Sequence, residues 1–186
     1  MGIDRDRRRA VFLDRDGVIN RAIIRGGKPF PPATEEALEV LGGVPEALAR
    51  LHDAGFRLVV VTNQPDVARG IQRREVVDRM HARLRAELPI DDIRVCDHDD
   101  RDRCGCRKPE PGLLTAAARD NGLSLPESFM VGDRWRDVEA GRRAGCTTIF
   151  IDCGYDEPRP DGADAAVGSL AEAADWILSR TRSERS

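Results

Sequence analysis

A chain of 186 residues is long enough for one compact domain with a substantial core and too short for two of ordinary size. Charged residues make up 34%, the hydrophobic set 40% and aromatics only 4%, which excludes a disordered or collagen-like chain and demands a mostly aliphatic core. Lys and Arg number 30 against 33 Asp and Glu, a net charge of -3 that argues against a sequence-independent nucleic-acid binder, and no apolar run nears the roughly 18 residues that span a bilayer.

The basic stretch from Met1 to Ala10 leads straight into a strand-like segment with no longer apolar core, so no secretory signal is visible and a cytoplasmic location is expected. Ala10 to Leu13 reads as a buried strand ending at Asp14. Pro45, a favoured first helical residue, opens a helix that runs to about Asp53 and stops at Gly55. Arg57 to Val61 is a second strand, closing at Thr62 and Asn63. Over Arg74 to Leu88 the residues Val76, Val77, Met80, Leu84 and Leu88 recur at helical spacing until Pro89. A third strand, Ile93 to Cys96, precedes a helix from Pro111 to Asp120 closed by Asn121 and Gly122. Ser128 to Val131 is a strand before Gly132 and Asp133, Asp137 to Ala144 a helix closed by Gly145, and Thr147 to Ile151 a fifth strand. A last helix covers about Leu170 to Leu178. The expectation is one domain with its core over about 10–178 and frayed termini at 1–9 and 179–186.

Short apolar strands alternating with helices predict an α/β fold, a doubly wound parallel sheet covered on both faces. In such sheets ligands gather at the carboxyl ends of the strands. Asp14, Thr62 with Asn63, and Asp133 should therefore converge on one crevice. In Phe12 to Val18, FLDRDGV, Asp14 is the candidate oxygen nucleophile toward a phosphoryl group. Asp16, two residues on, is placed to protonate a leaving alkoxide and then activate water, with its backbone carbonyl near enough to ligate a metal. Asp133 and Asp137 suit helix capping when taken singly; taken with Asp14, Asp133 would complete an all-oxygen Mg2+ site, with Asp137 behind it. Thr62 and Asn63 offer a hydroxyl and an amide to a phosphoryl group, or serve only as turn residues. Lys108 stands out because only it and Lys28 are lysine among 30 basic residues, as if this position requires a compact ammonium.

Three of the five cysteines crowd together with a histidine as Cys96-x-His98 and Cys104-x-Cys106. Three thiolates and an imidazole fill a tetrahedral Zn2+ with no open position, the signature of a structural site. The intervening residues Asp99 to Arg103 are all charged and cannot be core; Asp97, Asp99, Asp100 and Asp102 are not needed as ligands and read as a solvated face. Pinning this loop, 96–106, would hold the adjacent Arg107 and Lys108 in place. His52 and His81 read as surface or helix-packing residues, Cys146 and Cys153 as small core residues, and Trp135 as either pocket wall or packing.

FLDRDGV, VTNQ, CRKPEPG and VGDRWRDVEAG resemble, in order and over nearly the whole chain, the four signature motifs of the haloacid dehalogenase superfamily, in the branch that holds heptose bisphosphate and histidinol phosphatases. The resemblance implies a Rossmann-like phosphatase core with a zinc loop. It implies Asp14 as nucleophile, Asp16 as general acid/base, Thr62 and Lys108 as phosphoryl-binding residues, and Asp14, Asp133 and the Asp16 carbonyl as Mg2+ ligands. Asn63, Gln64, Arg107 and Arg134 would bind substrate, and Cys96, His98, Cys104 and Cys106 the zinc. Only 48 positions separate Asp14 from Thr62, which leaves no room for a cap domain there. The expected partner is a small phosphorylated metabolite, a sugar bisphosphate above all, acted on by a monomer. Ala68-Arg69-Gly70 is closer to the heptose enzymes; Ala22 to Lys28, Pro65-Asp66 and the short zinc loop depart from them, which keeps histidinol phosphate open. A zinc-stabilised binding module without catalysis is the reading from outside the enzymes.

Overall fold

In the computed structural model, which describes residues 9–183, the short apolar runs become the strands of a parallel sheet. In chain order the elements are β1 (Ala10–Leu13), β2 (Ile23–Arg25), β3 (Lys28–Phe30), α1 (Val44–Asp53), β4 (Arg57–Asn63), α2 (Pro65–Ala68), α3 (Arg74–Glu87), β5 (Asp92–Cys96), α4 (Gly112–Asn121), β6 (Phe129–Gly132), α5 (Trp135–Ala144), β7 (Thr147–Ile151), β8 (Ala165–Val167) and α6 (Leu170–Ser183). The main sheet has the order β5-β4-β1-β6-β7-β8 with every pair parallel, and β2 and β3 form a separate antiparallel hairpin.

Alternation along the strands divides the core in two. Val11, Leu13, Leu58, Val60, Val131 and Ile149 pack on one face with Leu48 and Leu51 of α1, Met80 and Leu84 of α3, and Ile177 of α6. On the other face Phe12, Val59, Val61 and Met130 meet Leu114 and Ala117 of α4 and Ala140 of α5. With so few aromatics, Phe129 makes edge-on contacts to both Phe56, at 5.7 Å, and Trp176, at 6.3 Å.

Two elements of the sheet region have too little apolar pattern to be read in advance. β8 is three half-exposed residues, held because Asp164 accepts hydrogen bonds from the Thr148 backbone N–H (2.7 Å) and hydroxyl (3.0 Å). The β2–β3 hairpin turns on Gly26 and Gly27, both in the left-handed region that glycine tolerates. The final helix is longer than expected. It continues past Leu178 to Ser183 because Thr181 is buried and its hydroxyl bonds back to the Ile177 carbonyl at 3.2 Å. Of the expected frayed ends, 1–8 and 184–186 lie outside the described residues. No helix among the described residues is long and apolar enough to cross a membrane.

β1 lies between β4 and β6, so the chain leaves it in opposite directions and the three carboxyl ends open a crevice. Asp14, Thr62 with Asn63, and Asp133 stand at those ends.

Candidate active site

Asp14 is the first residue beyond β1, and its N–H prolongs the ladder to the Val131 carbonyl at 3.0 Å. Its carboxylate accepts a 2.6 Å hydrogen bond from Lys108 Nζ. The same ammonium reaches Asp137 Oδ1 at 2.6 Å and the Val61 carbonyl at 2.7 Å, so its three donors have three acceptors. That tripod fits an ammonium and not a planar guanidinium, which accounts for a lysine in an arginine-rich chain. Asn63 holds the Lys108 backbone from both sides, accepting from its N–H at 3.1 Å and donating to its carbonyl at 3.0 Å. Burial disfavours the charged Lys108, but Asp137 and Asp14 more than offset it and keep the ammonium protonated. Burial likewise raises Asp14 to about 6, with Lys108 pulling the other way.

Asp133 is sealed from solvent, and neither carboxylate oxygen has a hydrogen-bond donor among the described residues. The Tyr155 hydroxyl lies beside it and favours its charged form. Burial, then the charges of Asp14 and Asp137, push the Asp133 carboxyl well above the usual range. Oxygens of Asp14, Asp133 and Asp137 all lie within 4.8 Å of one another. Two orphaned oxygens among three carboxylates form a hard donor set that suits a divalent cation. Asp137 is the least free of the three, since Lys108 takes one oxygen and the Arg134 N–H takes the other at 3.1 Å.

The cluster depends on Gly17. Its φ of +90° is in the left-handed region, and a Cβ there would come within 1.9 Å of Asp133 Oδ2. Gly17→Ala is expected to displace Asp133 and raise the Kd for Mg2+ at least about tenfold, measured by calorimetric titration of the folded variant.

Asp16 is held from two sides. Arg15 donates to it through Nε (3.1 Å) and Nη2 (2.9 Å), while Asn20 and Gln64 donate from their amides at 3.0 and 2.9 Å. Gln64 also bonds the Thr62 hydroxyl at 2.9 Å. Arg15 is wholly buried and passes Nη1 to His81 Nε2 at 3.0 Å, so His81 must be the acceptor. Burial, then the Arg15 charge, lower His81 from 6.5 to about 3. The unfolded chain takes up this proton as pH drops below 6.5 and the folded chain does not, so stability is lost from 6.5 down toward 3. Denaturant titrations are expected to show a steeper acid loss for the parent than for His81→Gln.

A cleft of about 250 Å³ opens over Asp14, Asp16, Lys108 and Asp137. Its walls come from the hairpin (Lys28 to Pro31), the segment Asn63 to Arg69, and Asp100, Arg107, Arg134, Arg136 and Glu157.

In the loop that leads to Arg107 and Lys108, Cys96, His98, Cys104 and Cys106 bring four ligand atoms together. Cys96 Sγ stands 3.6 Å from both His98 Nδ1 and Cys104 Sγ, and Cys106 Sγ stands 3.4 Å from His98 Nδ1 and from Cys104 Sγ. Those spacings approach the edges of a tetrahedron with metal–sulfur bonds of about 2.3 Å; Cys96 to Cys106, at 2.7 Å, is tighter. All five cysteines are unpaired.

Residues 105–177 match the HAD-hydrolase-like family model. A D-glycero-beta-D-manno-heptose-1,7-bisphosphate 7-phosphatase of Pseudomonas aeruginosa is 36% identical over 182 residues, covering 92% of this chain and 98% of that protein. The D-glycero-D-manno-heptose-1,7-bisphosphate 7-phosphatase of Thermosynechococcus vestitus is 33% identical, with 91% and 95% covered. The chain belongs to the heptose bisphosphate phosphatase family of the haloacid dehalogenase superfamily. A crystal structure of the B. bronchiseptica D,D-heptose 1,7-bisphosphate phosphatase, complexed with magnesium and phosphate, superposes with a TM-score of 0.80 at 30% identity, covering 92% of this chain and 99% of that one.

In this haloacid dehalogenase phosphatase, the sequence-predicted residues come together in three ways. Asp14, Asp16, Lys108, Asn63, Arg107 and Arg134 line the cleft; Thr62, Gln64 and Asp133 are buried outside its lining; and the Cys/His set gathers into a cluster of its own. Arg107 and Arg134 are not bare cations. Arg107 pairs with Asp100 at 2.7 Å, and Arg134 with Glu157 at 2.8 and 2.5 Å. The loop acids are more than a solvated face, since Asp97 pairs with Arg74, Asp99 with Arg69, and Asp100 with Arg107 and Arg136. Cys146 is buried as expected, whereas Cys153 is exposed because β7 ends two residues before it. Trp135 is absent from the cleft lining and stacks under Arg136 at 5.1 Å. Sequence reading missed Arg15, Tyr155, Arg136 and Glu157; alternation of charge in DRD and RWRD was the sole local signal for two of them.

Proposed function

We propose that this phosphatase is a Mg2+-dependent phosphomonoester hydrolase that removes the 7-phosphate of D-glycero-D-manno-heptose 1,7-bisphosphate through a phosphorylated Asp14. The observation that carries the reading is the buried cluster itself: a carboxylate at the cleft floor, a fully satisfied ammonium bonded to it, and a neighbouring Asp133 whose two oxygens have no donor. Mg2+ fits this all-oxygen set: Asp14 and Asp133 would hold it, with the Asp16 carbonyl as the third ligand that the family resemblance implies, and when bound it would supply positive charge against the phosphoryl oxygens. Asp14 attacks phosphorus through a carboxylate oxygen as the ester P–O bond breaks, and Asp16 gives its proton to the departing alkoxide oxygen. Asp16 then takes a proton from the water that attacks the phosphorylated Asp14, releasing inorganic phosphate and restoring both carboxyls. Lys108, with Thr62 and the backbone beside it, offsets charge on the transferring group. The four-ligand Cys/His set fits Zn2+ in a closed structural site, one that would fix the loop carrying Arg107 and Lys108.

The cleft walls can take a second phosphate by exchange of ion pairs. Beyond the floor, Arg69, Arg107, Arg134 and Arg136 are paired with Asp66, Asp99, Asp100 and Glu157, and Lys28 stands on the hairpin. Four arginines whose partners are carboxylates can turn to a phosphate in their place, whereas the ammonium of histidinol phosphate has no such partner to gain. The reading takes the enzyme as a cytoplasmic monomer, the location supported by unpaired cysteines. A substrate panel with Mg2+ tests it: kcat/KM for the heptose bisphosphate should exceed that for histidinol phosphate by at least about 100-fold. Equal or reversed values would contradict the substrate assignment, and no hydrolysis of any ester would contradict the activity.

A further inference from the structure

Arg15 sits between the two carboxylates of the motif and yet takes no part in the chemistry above. Its side chain is wholly buried and turned away from the cleft, a costly place for a guanidinium unless its donors are used. They are used in two directions. The Nε–Nη2 edge grips both oxygens of Asp16, at 2.9 to 3.1 Å, and Nη1 is held by His81 Nε2 at 3.0 Å with Met80 Sδ at 4.0 Å. His81 is on α3, whose Val77, Met80 and Leu84 are buried, so its ring is anchored to the core. Of the groups that hold the Asp16 side chain, Asn20 and Gln64 each donate one bond; Arg15 alone makes a fork that fixes the carboxyl plane.

We propose that His81 and Arg15 are positioning residues, with His81 bracing the Arg15 guanidinium so that it aims the Asp16 carboxyl at the leaving oxygen. This rests on the reading of Asp16 as the general acid. A group that aims an acid matters most when the leaving group needs a proton, and little when it does not. Packing alone would affect both kinds of ester equally.

The test compares kcat/KM for a sugar phosphate, whose alkoxide must be protonated, with that for p-nitrophenyl phosphate, whose phenolate leaves unaided. Taking the ratio within one protein sample cancels any loss of folded enzyme. His81→Leu keeps bulk but removes the acceptor, and should lower the sugar phosphate/p-nitrophenyl phosphate ratio about tenfold or more. His81→Gln, which can still accept from Arg15, should restore the ratio to within about twofold of the parent. Arg15→Lys keeps the charge, loses the fork, and should shift the ratio as His81→Leu does; it carries the test if His81→Leu does not fold. A parent-like ratio in the variants lacking acceptor or fork, or the same shift in His81→Gln as in His81→Leu, would overturn the proposal. A parent inactive on both esters would instead overturn the hydrolase reading, and this one with it.

Discussion

Asp14→Asn should abolish turnover of every phosphate ester, a loss of at least about 10⁴-fold in kcat, with the fold intact. An amide has nearly the volume of the carboxylate but no nucleophilic oxygen anion. The amide Oδ1 can still accept from Lys108, which also keeps Asp137 and the Val61 carbonyl, so its ammonium stays satisfied. The substitution also removes one of three crowded negative charges. Thermal melting should therefore show no large drop beside the lost activity. Retention of more than a small fraction of the parent rate would refute Asp14 as nucleophile.

Cys104→Ser should be the most damaging change outside the cleft. The loop 97–105 is half-exposed or exposed and has little core of its own, so its path is fixed by the four-ligand cluster together with the surface ion pairs of Asp97, Asp99 and Asp100. Cys106 is followed directly by Arg107 and Lys108, and Asn63 clasps the Lys108 backbone from the opposite side. Releasing one end of that clamp loosens the ammonium beneath Asp14. Bound zinc should fall from about one per chain, with a loss of roughly 3 kcal/mol lowering Tm by about 10 °C. Activity should fall by about 10- to 100-fold. Metal analysis and calorimetry check this together; unchanged zinc with unchanged Tm would exclude the site.

Much of this site could be read in the chain because its signals are local. An apolar tetrapeptide ending in an acid gives β1 and Asp14, and Val131-Gly132-Asp133 repeats the pattern at β6. Parallel order then forces those ends together. The Cys/His spacing needs no tertiary knowledge at all. What could not be read is where polar side chains turn once placed. Asn63 looks like a substrate donor at a strand end, but its amide both donates to and accepts from the backbone of Lys108, 45 residues away. Gln64 faces inward to Asp16 and Thr62. Arg15 finds His81 across 66 residues, and nothing near either one announces the other. The acids on either side of His98 looked solvated because their arginines come from α2's end, α3 and α5. Long charged side chains choose partners by tertiary proximity, which periodicity does not encode.

The covalent step can be tested directly by rapid acid quench during turnover, followed by borohydride reduction, proteolysis and mass spectrometry. An acyl phosphate is reduced to an alcohol, so the account predicts homoserine at position 14 in samples quenched with substrate and none without it. Rapid phosphate release with position 14 unmodified in every quench, or with the modification at another carboxylate, would contradict it.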